Sequence, residues 1–312
     1  MKRMTRVGLI TSGGDCQGLN AAIRGVGKTL YQYVDNIEIF GMYDGYRGLI
    51  ENDYKFMEPR DFSGIIAQGG TILGTSRQPY VPGKAIVDKD GNDVMPKMLD
   101  TYNRLNLDCL VVMGGNGTQK SSKLIADAGM NVITLPKTID NDLFGTDHCP
   151  GFASAAKYIA TSVMEVSRDC HVYDKGMITI IECMGRHAGW LPAAVSLASL
   201  SGDGPDLIYL PEVDFDMDKF IADVSRIYKE NGNCIVAVSE GVHYADGTFV
   251  SEAKTSGTDG FGHAQLGGLA ALLANIVKEK TGAKVRGIEL SLLQRCAAHC
   301  ASGTDIEESF LS

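Results

Sequence analysis

Long apolar runs, closely paired cysteines and an excess of basic residues are all missing from this sequence. No apolar stretch in the 312 residues is as long as a membrane span, so no membrane partner is expected. The apolar run at residues 7–10 is short, which favours a first β-strand over a signal peptide.

Eight cysteines are scattered along the chain without a C-x-x-C pair, and several of them lie in apolar runs. This usage predicts reduced, mostly buried thiols in a cytoplasmic protein. Asp and Glu number 38 against 29 Lys and Arg, and the net charge of −9 argues against a nucleic-acid partner. An anionic ligand would therefore need a local basic pocket.

What the sequence does contain is 37 glycines and a regular alternation of strand-like and helix-like segments. The patterns predict strands at residues 6–10, 37–41, 109–113, 131–135, 177–183, 207–212, 234–241 and 284–290. They predict helices at residues 19–28, 95–105, 119–129, 151–170, 184–200, 215–229 and 263–282, and from residue 305 onward. This alternation is typical of an α/β fold with doubly wound parallel sheets.

Three predicted strand ends carry residues suited to binding and chemistry. Glycine-rich turns at residues 11–18 and 114–118 each lie between a strand and a helix, where main-chain N–H groups favour an anion. A strand that we expect to be buried leads into Lys137, Thr138, Asp140 and Asp142. There the lysine can hold a phosphate, one aspartate can take a proton from a hydroxyl, and the other can help to hold a metal. Each could also be an ordinary polar turn. Convergence at the carboxyl edge of one parallel sheet is the simpler interpretation.

Taken together, several motifs resemble the 6-phosphofructokinase family, in order and through nearly the whole chain. They are Thr11-Ser-Gly-Gly-Asp-Cys, Gly114-Gly-Asn-Gly-Thr, Pro136-Lys-Thr-Ile-Asp-Asn-Asp, Met184-Gly-Arg and Leu293-Gln-Arg. Residues 145–161 and 260–268 are similar to a bacterial group that contains both ATP-using and pyrophosphate-using members.

The resemblance implies two Rossmann-like lobes with mostly parallel, doubly wound sheets. Residues 1–139 plus 285–312 would form the larger lobe and bind the phosphoryl donor, and residues 140–284 would form the smaller lobe and bind the sugar phosphate. Family members continue past the helix expected near residue 305, so the C-terminus is expected to be shorter than usual.

The implied reaction is phosphorylation of the 1-hydroxyl of fructose 6-phosphate by ATP with Mg²⁺, the committing step of glycolysis. Two alternatives stay open. One is a pyrophosphate-dependent phosphotransferase, and the other is a relative that binds sugar phosphate and nucleotide without turnover. The family also implies a homodimer or homotetramer whose substrate sites are shared between subunits.

The implied site residues fall into four groups. Asp140 matches the family's general base, and Thr138, Lys137 and Arg186 complete the catalytic set. Donor contacts are implied for Gly13, Gly14, Arg77, Gln78, Gly115, Asn116, Gly117 and Thr118. Sugar-phosphate contacts are implied for Thr138, Ile139, Asp140, Met184, Gly185, Arg186, Glu240, Arg286, Leu292 and Arg295. Asn116 and Asp142 are the implied metal ligands.

Gly117 carries the argument about the donor. Pyrophosphate users of the family usually have aspartate there, which fills the space of the ATP α-phosphate, so Gly117 favours ATP. Lys137 occurs in pyrophosphate users and in some ATP users. Two other positions depart from the family. Met177 replaces a frequent phosphate-binding arginine, for which Lys175 could substitute, and Leu292 replaces a frequent histidine.

Overall fold

The computed structural model describes residues 3–77, 80–81, 85–88, 90–174, 176–251 and 268–311. Within these ranges the chain folds into two large sheets with flanking helices, which confirms the α/β prediction. Gln78, Lys175 and residues 260–267, which the sequence singled out, lie outside the described residues.

The first sheet has the order β3-β2-β1-β6-β7 and is parallel except for β3. Its strands are β1 (Thr5–Thr11), β2 (Ile37–Met42), β3 (Tyr54–Phe56), β6 (Cys109–Gly114) and β7 (Val132–Pro136). The helices of this part are α1 (Leu19–Tyr33), α2 (Tyr46–Glu51), α3 (Met95–Arg104) and α4 (Asn116–Asp127). A 3-10 turn covers Pro59–Phe62, and β4 (Tyr80–Val81) pairs with β5 (Ala85–Ile86) as a small separate ribbon.

The second sheet is fully parallel and has the order β11-β8-β10-β9. Its strands are β8 (Ile178–Cys183), β9 (Leu207–Tyr209), β10 (Cys234–Ser239) and β11 (Val285–Glu289). Its helices are α5 (Phe152–His171), α6 (Trp190–Ala194), α7 (Met217–Asn231) and α8 (Leu269–Thr281), with a 3-10 segment at Val195–Ser201. After β11 come α9 (Leu293–Cys296), a 3-10 turn at Ala298–Cys300 and α10 (Gly303–Leu311).

The central strands explain why the sequence shows continuous apolar runs. Every residue of β8 and β10 is buried, as expected for parallel strands that are covered on both faces. One cluster of buried apolar side chains includes Leu9 and Val111 of the first sheet and Ile181 of the second. The two sheets therefore share part of their core, which fixes their carboxyl ends next to each other.

The last helix, α10, is tied to both parts of the molecule. Gly25 of α1 lies so close to the backbone of Phe310 that a Cβ would overlap it. The buried carboxylate of Asp305 accepts hydrogen bonds from the backbone N–H of Gly151, at 3.0 Å, and of Ser154, at 2.6 Å. These groups belong to the start of α5, so Asp305 acts as its N-terminal cap from a distant part of the chain.

Three sequence expectations are corrected by the structure. The strand before Lys137 is not buried, because β7 is the last strand of its sheet and Ile133 is 54% exposed. The helix expected from residue 184 begins only at Trp190, because Gly185 has a φ of 125°, which a helix does not allow. The predicted lobe boundary at residue 285 placed β11 in the larger lobe. This is wrong for β11, because it pairs with β8 of the second sheet. The rest of the division into lobes stays a prediction.

All eight cysteines are free thiols, and six of them are buried, so the expectation of mostly buried thiols is confirmed. Among the described residues, no helix has both the length and the apolar character needed to cross a membrane.

Candidate active site

The carboxyl ends of β1, β6 and β7 face those of β8, β10 and β11 across a cleft of about 570 Å³. The cleft is lined by residues that follow all six of these strands. This is the position at which open α/β sheets bind ligands.

The conformation of the turn after β1 is fixed by hydrogen bonds to its backbone. Gly13 has a φ of 88°, a conformation that favours glycine. Its N–H donates to the backbone oxygen of Ser76 at 3.2 Å, and its own oxygen accepts from the Thr75 hydroxyl at 2.7 Å. These bonds bring the loop that ends in Arg77 to the side of the glycine turn, and Arg77 also lines the cleft.

The turn after β6 presents the start of a helix to the cleft. The N-cap of α4 is Gly115, and Asn116, Gly117 and Thr118 form its first turn and line the cleft. Because Gly115 has no side chain to cap the helix, the first N–H groups of α4 are available to an anion. Gly114 packs tightly on Thr118, so that a Cβ there would overlap the threonine side chain.

Lys137 links the loop after β7 to the glycine turn after β1, at the carboxyl edge of the first sheet. Its side chain is only 5% exposed, and its ammonium group donates a hydrogen bond to the backbone oxygen of Gly14. Burial lowers the pKa of this lysine, while Cys16, Asp15 and Asp140 act in the opposite direction. The lysine thus fixes the glycine turn relative to the acidic loop that follows β7.

Asp140 lies in this acidic loop, whose shape is set locally. Its backbone N–H donates to the Thr138 hydroxyl at 3.2 Å, and Asn141 adopts a left-handed conformation with a φ of 55°. The Asn141 side chain accepts a hydrogen bond from the N–H of Cys149 at 2.8 Å, which closes the loop. Asp140 and Asp142 both line the cleft as a result.

The environment of Asp140 makes it a stronger base than an ordinary aspartate. Burial, and secondarily the charge of Asp142, raise its pKa to about 6, against the opposing effects of Lys137, Arg186 and Arg295. The carboxyl group is still mostly ionised at neutral pH. A base with a pKa just below the working pH is well matched to taking up a proton.

The opposite side of the cleft is built on the second sheet. Met184 and Arg186 come from the turn after β8, Glu240 follows β10, and Leu292 and Arg295 follow β11. The Arg295 guanidinium reaches across to the first sheet, where its Nη1 atom would lie 3.2 Å from a Cβ placed on Gly14. One cation therefore stands between the glycine turn after β1 and the side of the cleft that the second sheet forms.

Two glutamates also line this side, the buried Glu182 and the half-buried Glu240. Burial, and then the nearby charge of Asp140, raise the pKa of Glu240 to about 7. Burial also raises the pKa of Glu182 to about 7, although its carboxylate accepts a hydrogen bond from the N–H of Ala270 at 2.9 Å. Glu182 thereby caps the start of α8 and is a buried acid paired with a backbone donor.

Asn116 and Asp142 both line the cleft and are exposed, so their oxygen atoms are accessible to a metal. In the part of the chain that the structure describes, no group of three His, Cys, Asp or Glu side chains could hold a metal alone. One carboxylate and one amide suit Mg²⁺ that is bound mainly by the phosphates of a substrate.

Comparison with known proteins identifies the family. The sequence profile of the family described as "Phosphofructokinase" matches residues 6–304. The chain belongs to the phosphofructokinase family.

Individual relatives carry both donor names. The chain is 40% identical over 291 residues to a protein of Spirochaeta thermophila named ATP-dependent 6-phosphofructokinase, covering 92% of this chain and 77% of that protein. It is 35% identical over 311 residues to the pyrophosphate--fructose 6-phosphate 1-phosphotransferase of Halomonas elongata, covering 96% and 73%. The crystal structure of a pyrophosphate-dependent phosphofructokinase from Nitrosospira multiformis superposes with a TM-score of 0.81 at 30% identity, covering 98% of this chain and 74% of that one.

Most residues that the phosphofructokinase motifs predict line this one cleft. Gly185 does not line it but lies in the turn between Met184 and Arg186, which do. Arg286 is the exposed second residue of the edge strand β11 and does not line the cleft within one chain. That Gly185 and Arg286 contact a ligand stays a prediction. The residues in the cleft are Gly13, Gly14, Arg77, Gly115, Asn116, Gly117, Thr118, Lys137, Thr138, Ile139, Asp140, Asp142, Met184, Arg186, Glu240, Leu292 and Arg295.

Sequence reasoning missed several cleft residues. Asp15, Cys16 and Gln294 belong to the quoted motifs themselves, and Cys183 and His187 directly adjoin one, so a position at a strand end would have been a usable signal. His187 lines the cleft and packs against Phe249. The other residues missed are Asp15, Cys16, Glu182, Cys183, Glu289, Ser291 and Gln294.

Proposed function

We propose that this protein transfers the terminal phosphoryl group of ATP to the 1-hydroxyl of fructose 6-phosphate. The observation that carries the proposal is Asp140, a carboxylate with a raised pKa that shares one cleft with two glycine turns and the cations Arg186 and Arg295. Membership of the phosphofructokinase family supports the reaction class.

In the proposed reaction Asp140 accepts the proton of the sugar 1-hydroxyl. A bond forms between that oxygen and the transferred phosphorus, and the bond from this phosphorus to the β-phosphate oxygen breaks. Removal of the proton by a positioned carboxylate would contribute about 10²- to 10⁴-fold to the rate. The rest comes from positioning and from neutralising charge.

The donor phosphates would lie against the main chain of the two glycine turns and the start of α4, with Arg77 beside them. Mg²⁺ bound with these phosphates would neutralise developing charge, and Asp142 and Asn116 are the residues that would orient it or its waters. Lys137 supports this half from within, through its bond to Gly14.

The sugar phosphate would occupy the side formed by residues 184–186, Glu240 and Arg295. Glu240 would hydrogen-bond a sugar hydroxyl, and Arg295 would hold the 6-phosphate. Arg286 is exposed and does not line the cleft of its own chain, so we propose that it serves the site of a neighbouring subunit. This requires a homodimer or homotetramer, and we propose a cytoplasmic location for the assembly.

The choice of donor rests on Gly117, which leaves room beside the first turn of α4. A pyrophosphate-dependent reaction is the second candidate, because Lys137 lies in the cleft and similar proteins carry that name. Both reactions use the same base and the same acceptor side.

The test is a steady-state assay of the purified protein with fructose 6-phosphate and Mg²⁺, supplied with ATP or with pyrophosphate. We expect turnover with ATP and little with pyrophosphate. Turnover with pyrophosphate alone would select the second candidate. Binding of both substrates without turnover by either donor would favour the non-catalytic relative.

A further inference from the structure

The turn after β8 is held on both sides by side chains from the two neighbouring strand ends. We infer that Gln294 and Ser239 are positioning residues, which fix residues 184–186 in the geometry that binds the acceptor. This inference rests on the proposed function, because it assigns these two residues to the acceptor half of the cleft.

Gln294 holds the turn from the β11 side. It is 2% exposed, and its Oε1 atom accepts a hydrogen bond from the backbone N–H of Met184 at 3.0 Å. Its Nε2 atom donates to the backbone oxygen of Ser291 at 3.1 Å. One buried amide thus joins the turn after β8 to the turn after β11, and Arg295 is the next residue along the chain.

Ser239 holds the same turn from the β10 side. Its side chain is fully buried, and its hydroxyl donates to the backbone oxygen of Gly185 at 2.6 Å. The same hydroxyl oxygen accepts from the N–H of Gly241 at 3.0 Å. The bond therefore ties the turn after β8 to the turn that carries Glu240.

The turn needs such support because its own conformation is not that of a helix or a strand. Gly185 has a φ of 125°, and α6 begins only at Trp190. The backbone of Arg186 packs directly on Gly241, where a Cβ would overlap the Arg186 backbone oxygen. A shift of the turn would therefore move Arg186 relative to both Glu240 and Arg295.

The two residues should affect the acceptor and leave the donor unaffected. Gln294 and Ser239 bond to the turns of the second sheet, whereas the glycine turns that face the donor belong to the first sheet. A role in stability alone would lower the melting temperature without separating the two Michaelis constants.

The experiment compares Gln294→Met and Ser239→Ala with the wild-type protein in the ATP-dependent assay. Methionine keeps roughly the size of glutamine but removes both hydrogen bonds. We expect the KM for fructose 6-phosphate to rise about three- to tenfold in each variant, as for the loss of one to two buried hydrogen bonds. The KM for ATP should not change. In the double variant the effects should not add fully, because both residues hold the same turn.

Ser154→Ala is the matched control. Ser154 is equally buried, and its hydroxyl accepts a hydrogen bond from the N–H of Ser302 at 2.9 Å, but it does not line the cleft. This control should lower the melting temperature and leave both Michaelis constants unchanged.

The inference is overturned if the KM for fructose 6-phosphate stays at the wild-type value, or if both Michaelis constants shift together. It is also overturned if neither variant melts cooperatively, since the two residues would then serve the fold as a whole. A wild-type protein that does not use fructose 6-phosphate would instead overturn the proposed function, so the two failures are distinguishable.

Discussion

The two halves of the cleft offer their ligands different kinds of groups. The donor half, which is the part at the ends of β1 and β6 that we propose to hold the phosphoryl donor, is built mainly of glycine turns and the first turn of α4. The acceptor half presents side chains, among them Arg186, Glu240 and Arg295. Main-chain sites depend on local backbone shape, whereas side-chain sites depend on neighbours that hold each group in place.

Charge also differs between the halves. In the acceptor half and at its border, burial raises the carboxyl pKa of Glu182 and Glu240 to about 7 and of Asp140 to about 6. We propose that Arg186 and Arg295, whose charges act on the carboxyl group of Asp140, attract an anionic sugar phosphate there.

The largest loss of activity is expected from a substitution of Asp140, which lies at the border between the donor and acceptor halves. Asp140→Asn removes the proton acceptor but keeps the size of the side chain, so kcat should fall about 10²- to 10⁴-fold. Both Michaelis constants should change little, because asparagine can still hydrogen-bond the hydroxyl. Steady-state kinetics and calorimetric titration with fructose 6-phosphate check this. A kcat near the wild-type value would remove Asp140 from the chemistry.

The next largest effect is expected at Gly117, where a substitution should impair use of the donor without changing the binding of the acceptor. Gly117→Asp places a carboxylate in the first turn of α4, where it should repel the ATP phosphates and fill their space. Like charges brought together in a binding site cost several kcal/mol, so kcat/KM for ATP should fall by about 10²-fold or more. The KM for fructose 6-phosphate, measured with whichever donor still works, should stay the same. Undiminished use of ATP would defeat the steric argument about the donor.

The pH dependence of kcat/KM tests the ionisation of Asp140. Because Asp140 must be ionised to accept a proton and its pKa is about 6, kcat/KM should fall about tenfold between pH 7 and pH 5. Folding stability should respond in the opposite sense. A carboxyl group with a raised pKa favours the folded state below its unfolded pKa of 3.8, and this contribution is lost as the pH rises through about 6.

The substrate phosphates also titrate near pH 6, so a control is needed. The residual activity of Asp140→Asn should lack the part of the pH profile that belongs to the carboxylate. An identical profile in both proteins would assign the whole dependence to the substrates.

The smallest effect on activity is expected outside both halves. Asp305→Asn replaces one of the two carboxylate oxygens with an amide NH2 group. One of the two backbone N–H groups at the start of α5 therefore loses its hydrogen-bond acceptor. Loss of an N-terminal cap costs about 1 kcal/mol of folding free energy. Thermal or denaturant unfolding should show this loss, while both Michaelis constants stay at wild-type values. A selective change in either constant would mean that α10 acts on the cleft.

The donor half was more predictable from the sequence than the acceptor half, for a physical reason. Gly13 is needed for a positive φ, and Gly114 for close packing on Thr118, so the glycines themselves mark the turns. The strands β8 and β10 were recognisable because burial on both faces gives continuous apolar runs.

Other features depend on tertiary structure that no local pattern contains. That β7 would be an edge strand follows from the order of strands in the sheet, not from its apolar residues. The strand that carries Arg286 joined the second sheet through pairing with β8. The bonds of Gln294 and Ser239 to the turn after β8 join residues 110 and 54 positions apart in the chain.

The central claim is that one cleft presents an ionised Asp140 to a sugar alcohol while the glycine turns hold a phosphoryl donor. Phosphorus NMR of the product formed from fructose 6-phosphate and ATP tests it most directly. The account predicts a second phosphate ester on the 1-oxygen of the sugar, formed by the wild-type protein and nearly absent with Asp140→Asn. A phosphate transferred to another position, or equal product from the Asp140→Asn variant, would contradict it.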